Sequence, residues 1–155
     1  MASSEYAQWE AYLEQGAALD VAVFMSWFDT RKEGQWLKEI DLGYGYTALH
    51  VALMYKAPEA VAMALFEAWP DAVKETDCFG KTPLQYALEF NAPEAVVLAL
   101  FAAWPDLAKE DYEGEPPLHL ALRNNAPAAV VVAMVAAYPE GVKEIDRKGY
   151  TPPCT

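Results

Sequence analysis

Hydrophobic and polar positions along this chain recur with a period far longer than the turn of a helix or the pleat of a strand. The stretch ALFEAWPDAVKETD at 64–77 returns as ALFAAWPDLAKED at 99–111 and, in relaxed form, as MVAAYPEGVKEID at 134–146. Gly45, Gly80, Gly114 and Gly149 follow one another at 35, 34 and 35 residues, and Pro58, Pro93 and Pro127 keep the same step. Aligned on these markers, GYTALHVALMYKAPEAVAMALFEAWPD, GKTPLQYALEFNAPEAVVLALFAAWPD and GEPPLHLALRNNAPAAVVVAMVAAYPE superpose as three full copies between 45 and 148.

Each copy predicts the same elements. Asp-x-x-Gly (Asp77 to Gly80, Asp111 to Gly114, Asp146 to Gly149) is a turn that Asp braces with its side chain while Gly takes positive φ, giving a short hairpin finger. Thr82 then supplies an N-cap hydroxyl and Pro83 a preset φ at the first helical position, launching an inner helix PLQYALEF that ends at Asn91, a residue tolerant of the left-handed region. Pro93 and Glu94 open a second, outer helix, proline at its start and a carboxylate at the positive end of the dipole. The spacing of Ala95, Val96, Ala99, Leu100 and Ala103 predicts a buried face made largely of small residues. Pro70 ends the first outer helix, and PDAVK starts a further short helical turn, with Asp71 at its positive end, folding over Phe66 and Trp69.

A finger and two antiparallel helices per repeat, with Thr-Pro-Leu-His-x-Ala at the first helix, resembles the ankyrin repeat family. The stretches that carry the resemblance are TALHVA (47–52), TPLQYA (82–87), PPLHLA (116–121) and a broken-off TPPCT (151–155). It implies an all-α fold, an α-solenoid of ankyrin-like helix-turn-helix repeats with short hairpin fingers. The expected organisation is a single repeat domain over 1–155: a degenerate N-terminal capping repeat at 5–44, repeats at 45–79, 80–113 and 114–148, and the start of a truncated further repeat at 149–155. In the capping repeat Gly16 stops one helix, and Trp36-Leu37-Lys38-Glu39 stands in place of the later Pro-Asp-Leu-Ala-Lys-Glu. The chain departs from the usual pattern in placing Lys56, Asn91 or Asn125 before Ala-Pro where Gly is customary, and Trp-Pro-Asp or Tyr-Pro-Glu after the second helix. These departures are similar to ankyrin-like repeats abundant in algal and other protist proteins.

Composition removes several classes of function. An apolar content of 54% with 13% aromatics suffices for a packed core. The start MASSEYAQWEAYLEQG has neither a basic nor an apolar signal region, so the mature chain is expected to begin near Met1, in a soluble intracellular setting, cytoplasm or organelle. APAAVVVAMVAAYP (126–139) falls short of the roughly 20 residues a bilayer span needs and predicts a buried helix, so no membrane is spanned, although the partner could be a membrane complex. Cys78 and Cys154 lie 76 positions apart with no CxxC and no His at ligand spacing, so free thiols and no metal or other cofactor are expected. A formal charge of −12 argues against nucleic acid as a partner. The charge is uneven: residues 1–44 hold eight acids against three bases, and 116–155 hold three acids against four bases.

Trp-Pro-Asp is also the general-acid loop of protein tyrosine phosphatases, but the chemistry that goes with it is missing. A phosphatase needs a Cys thiolate with Arg six positions later; Cys78 has Leu84 there, and Cys154 is one residue from the end. His50 and His119 alternate with Gln85 at one repeat position, so hydrogen bonding between repeats explains them better than general-base chemistry. One Asp per repeat (Asp41, Asp77, Asp111, Asp146) suits turns, not a metal cluster. No enzyme is expected.

The resemblance places partners on a concave surface of fingers and inner helices. Positions that the repeat leaves free are unusually aromatic there: Tyr44, Tyr46, Met54, Tyr55 and Phe79, then Phe90, Tyr112, Arg123 and Tyr150, form the expected docking groove for another protein. The outer helix PAAVVVAMVAAY (127–138) carries no charge, so a face with Val132, Val135 and Tyr138 is a second docking candidate. The expected function is a non-catalytic protein–protein interaction module. The alternatives are a constitutive accessory subunit of a larger organellar or membrane-protein assembly, and the regulatory ankyrin domain of a longer protein.

Overall fold

A computed structural model describes residues 7–8, 11–12, 14, 20–30, 44–144, 146 and 148–152. The expectations that concern Gly16, Trp36 to Glu39, Asp41 and Cys154 lie outside these residues. The described residues are mainly helical, and the strand-like pairing among them is an isolated bridge between Tyr112 and Glu115. The chain divides into two compact units, 1–83 and 84–155, each taken by itself below.

In the first unit, α1 (Val21–Asp29) begins at Asp20, whose carboxylate accepts the N–H groups of Ala22 and Val23. Its Phe24 and Phe28 are buried and stack at 5.6 Å. The inner helix α2 (Ala48–Met54) is buried at every position from Ala48 to Leu53, and it packs on the outer helix α3 (Glu59–Ala68). Between them the chain turns through Lys56 at φ 55°, with the Lys56 N–H donating to Leu53 O (3.2 Å) and the Ala57 N–H to Ala52 O (3.0 Å). That bond pair is a Schellman C-cap, which requires a left-handed residue.

Pro58, Pro93 and Pro127 each sit one position earlier than expected. They are N-caps in the extended region (Pro58 φ −54°, ψ 151°), not first helical residues, because their carbonyls accept the opening helical bonds. After α3, Pro70–Lys74 forms a 3₁₀ helix that buries Ala72 and Val73.

The second unit repeats the plan. The inner helix α4 (Pro83–Glu89) starts at the unit boundary, and α5 (Glu94–Ala103) is its outer partner. A 3₁₀ helix, Pro105–Lys109, leads to inner helix α6 (Pro117–Arg123), outer helix α7 (Ala128–Ala137) and a last 3₁₀ helix, Pro139–Lys143. α7 packs against both α5 and α6.

The buried face of α5 differs from the expected one. Val96 and Leu100 are buried, but Ala95 and Ala103 are exposed, and Val97 and Phe101 are buried in their place. The face is therefore built from large residues and is rotated by one position. α7, expected to be buried, buries only Val130 and Met134.

The fingers are of two kinds. At Asp77 and Asp146 the carboxylate braces the turn: Asp77 accepts the N–H groups of Phe79 (2.8 Å) and Lys81 (2.9 Å), and Asp146 those of Lys148 (2.8 Å) and Tyr150 (2.9 Å). These backbone bonds hold the Asp146 carboxyl below its ordinary range. The finger after Asp111 is different: Tyr112 and Glu115 exchange both backbone bonds around Glu113 (φ 51°) and Gly114 (φ 75°). Two successive positive φ angles define a two-residue I′ hairpin, so this turn lies one residue past the one expected and Asp111 does not brace it.

Candidate docking surfaces

The residues that could carry chemistry are built into the framework. Thr47 caps α2, and His50 closes the box: the His50 N–H donates to the Thr47 hydroxyl oxygen (3.4 Å), and the Thr47 N–H donates to His50 Nδ1 (3.2 Å). Since Nδ1 accepts, the ring proton sits on Nε2, which donates to Lys81 O at 3.1 Å and ties α2 to the finger 31 residues on. The ring is fully buried, and desolvation pushes His50 from its ordinary 6.5 down to about 4.

In the second unit the Gln85 amide donates to Glu110 O (3.2 Å), and His119 Nε2 to Tyr150 O (2.9 Å). His119 lacks half of the box. Its Nδ1 is buried without a hydrogen-bond partner among the described residues, because the N-cap is Pro116, which has neither hydroxyl nor N–H.

The acids of the Trp-Pro-Asp stretches pair with the lysine of their own 3₁₀ turn. Asp71 lies 4.0 Å from Lys74, Asp106 2.9 Å from Lys109, and Glu140 3.2 Å from Lys143. Three residues per 3₁₀ turn set such i,i+3 partners one above the other. The hydrogen bond to Asp106 raises Lys109 above its ordinary range. Sequence reasoning missed these pairs, although Asp-x-x-Lys was there to read.

None of the expected partner residues is buried. In the first unit Tyr44, Tyr55 and Phe79 are exposed, and Tyr46 and Met54 are half-buried. Tyr44 stacks on Phe79 (6.2 Å, 22°) and meets Tyr46 at 5.7 Å, while Tyr46 lies 6.3 Å from His50. Gly45 lies within this cluster at φ 71°, a conformation strained for any residue with a side chain, and a Cβ there would sit in ordinary contact with the backbone of Asp77 and Cys78 at 3.4–3.6 Å. The Cys78 N–H donates to Tyr44 O at 2.8 Å across the same approach, leaving the thiol exposed.

In the second unit Phe90 is half-buried and stacks on buried Tyr86 (6.1 Å, 8°), a core residue that the sequence reading left out. Tyr112 is half-buried, and Tyr150 is exposed. Arg123 is exposed but forms an ion pair with Glu115 of the I′ finger at 2.6 Å. Val132 is 66% exposed, while Val135 and Tyr138 are half-buried. The Tyr138 hydroxyl donates to Glu144 (3.0 Å), which raises its pKa. Val142, which sequence reasoning did not single out, is 46% exposed, whereas its counterparts Val73 and Ala108 are buried.

A cleft of about 560 Å³ in the second unit is lined by Lys109, Asp111, Gly114, Pro116, Lys143, Glu144 and Asp146. Both lysines, Glu144 and Asp146 are already engaged in the bonds described above. Among the described residues no cluster of His, Cys, Asp or Glu is placed to hold a metal ion, and no helix is long and apolar enough to cross a membrane. In comparisons with known proteins, the chain matches no family model and no curated protein.

Proposed function

We propose that this chain is a non-catalytic docking module of ankyrin-like repeats that holds another protein. One observation carries the reading: side chains able to do chemistry are bonded to the chain's own backbone, while large apolar side chains lie open. His50, Gln85, His119, Asp77 and Asp146 all bond main-chain groups, whereas Tyr44, Tyr55, Phe79 and Tyr150 are exposed. Exposed aromatics on a braced backbone suit partner recognition, since their area is gained at little cost in ordering.

The test is affinity purification of the intact protein from its own source, followed by reconstitution with the purified co-purifying chain. Tyr44→Ser with Phe79→Ser, or Tyr55→Ser, should weaken that binding with no change in the circular dichroism spectrum. Unchanged binding in both variants would refute docking through these residues.

A second reading, a constitutive subunit of a larger assembly, is favoured by α7, which has no charged residue and leaves Val132 open, with Val142 of the following 3₁₀ helix open as well. Its test is Val132→Glu with Val142→Glu, which should release the chain from that assembly while leaving its melting temperature nearly unchanged.

A further inference from the structure

We infer that the Tyr44–Phe79 pair in the first unit is a seat for arginine side chains of a basic partner segment. This rests on the docking reading above and names the chemistry of the partner. The two rings lie nearly parallel at 6.2 Å, and half or more of each is open: Tyr44 is 50% and Phe79 58% exposed. Apolar area alone would suit several occupants, a proline-rich segment among them, so charge has to decide.

Residues 1–83 carry thirteen acids and six bases, a formal −7 within the chain's −12. More locally, the Asp77 carboxylate accepts the Phe79 N–H at 2.8 Å, which fixes a negative charge beside the pair. Open aromatic faces in a negative field attract cations, and guanidinium, planar and weakly hydrated, stacks on them better than ammonium does. The acidic surface would also speed the encounter with a basic segment.

The platform is preformed. The Cys78 N–H to Tyr44 O bond, the Asp77 braces and the left-handed turn at Gly45 hold the backbone that carries both rings before any partner arrives. Little ordering entropy is then lost on binding.

Hexa-arginine, hexa-lysine and a proline-rich peptide of equal length would be titrated calorimetrically into the intact chain. The variants are Tyr44→Ser/Phe79→Ser and Tyr44→Leu/Phe79→Leu, the second keeping apolar area while removing the π faces; circular dichroism checks their fold. The expected result is tighter binding of hexa-arginine than of hexa-lysine, and a loss on the order of tenfold in both variants. Equal binding of the two basic peptides, unaffected by either variant, would assign the effect to diffuse charge and overturn the inference. Binding of the proline-rich peptide with none of hexa-arginine would overturn it too, yet leave the docking reading standing. If a purified partner protein binds both variants as tightly as the parent, docking at this face fails along with it.

Discussion

Replacing Pro116 by Thr should make the protein more stable, although a proline is lost. In the first unit the box of Thr47 and His50 is complete; in the second, His119 Nδ1 is a buried acceptor without a partner among the described residues, beside a cap that has nothing to donate. Thr at 116 would supply three things: a hydroxyl to accept the His119 N–H, a hydroxyl proton for Nδ1, and a backbone N–H aimed at the same nitrogen. An N-cap hydroxyl contributes about 1 kcal/mol, and satisfying a buried polar atom contributes a further ~1–2 kcal/mol. Against this stands the greater freedom of the unfolded chain once proline is gone, about 0.4–1 kcal/mol.

The backbone is already compatible. Pro116 has φ −63° and ψ 148°, close to the −90° and 166° of Thr47, and Thr82-Pro83 shows that the chain uses Thr before Pro at this position elsewhere. The net gain is about 1–2 kcal/mol, which for a chain of this size is roughly 3–6 °C in melting temperature. Urea unfolding followed by circular dichroism measures it directly. Pro116→Ala, which restores the N–H without the hydroxyl, should recover only part of the gain. A Pro116→Thr protein no more stable than the parent would refute the claim that Nδ1 of His119 is a stored cost.

Stability should depend on pH through His50. Its folded pKa of about 4 lies below the ordinary 6.5 of the unfolded chain. The stabilisation is thus complete above pH 6.5 and is lost as pH falls towards 4, where the unfolded state takes up a proton that the folded ring refuses. At about 1.4 kcal/mol per unit of pH the loss reaches roughly 3 kcal/mol, and the urea midpoints of His50→Gln should lack that part of the slope between pH 7 and 4. Lys56→Gly should stabilise by about 1 kcal/mol in the same assay, because a lysine at φ 55° is strained where glycine is not. Leu100→Ala should cost about 2–5 kcal/mol, since Leu100 is fully buried, whereas Val132→Ala at 66% exposure should stay within about 0.5 kcal/mol.

Residues whose backbone demands are unusual gave the most away in the sequence. Gly45 and Gly80 at positive φ, Asp77 as a turn brace, and Pro70 as a helix stop each announce one conformation, so the Asp77 and Asp146 fingers, the inner helices and the post-proline turns could be read directly. Where several conformations satisfy the same residues, the reading slipped. EAVVLALFAA is apolar nearly all round, so nothing polar fixed its buried face, and the large Val97 and Phe101 displaced small alanines from the core. Glu113-Gly114 offered the second finger an I′ turn that competed with Asp111, and backbone hydrogen bonding won.

Register kept every expected partner residue out of the fully buried core, because the repeat specifies which positions the core requires, but Tyr46, Met54, Phe90, Tyr112, Val135 and Tyr138 are half-buried and only the other six are exposed. Pairing was not legible: Arg123 with Glu115, Tyr138 with Glu144 and Tyr44 with Phe79 depend on how neighbouring segments approach, which a single-strand reading of spacing does not encode. The unsatisfied nitrogen of His119 could have been anticipated from Pro116, since a proline at the cap visibly removes both groups that Thr47 provides.

The ties from the inner helices to their following fingers have a kinetic consequence. His50 reaches Lys81, Gln85 reaches Glu110 and His119 reaches Tyr150 over 31, 25 and 31 residues, and each closes a loop of similar, modest length. Loop-closure entropy therefore does not accumulate along the chain, and no contact of this kind has to wait for distant residues to meet. A sequence tied in this way can order each finger as soon as the helix before it exists, including while its later residues are still being synthesised.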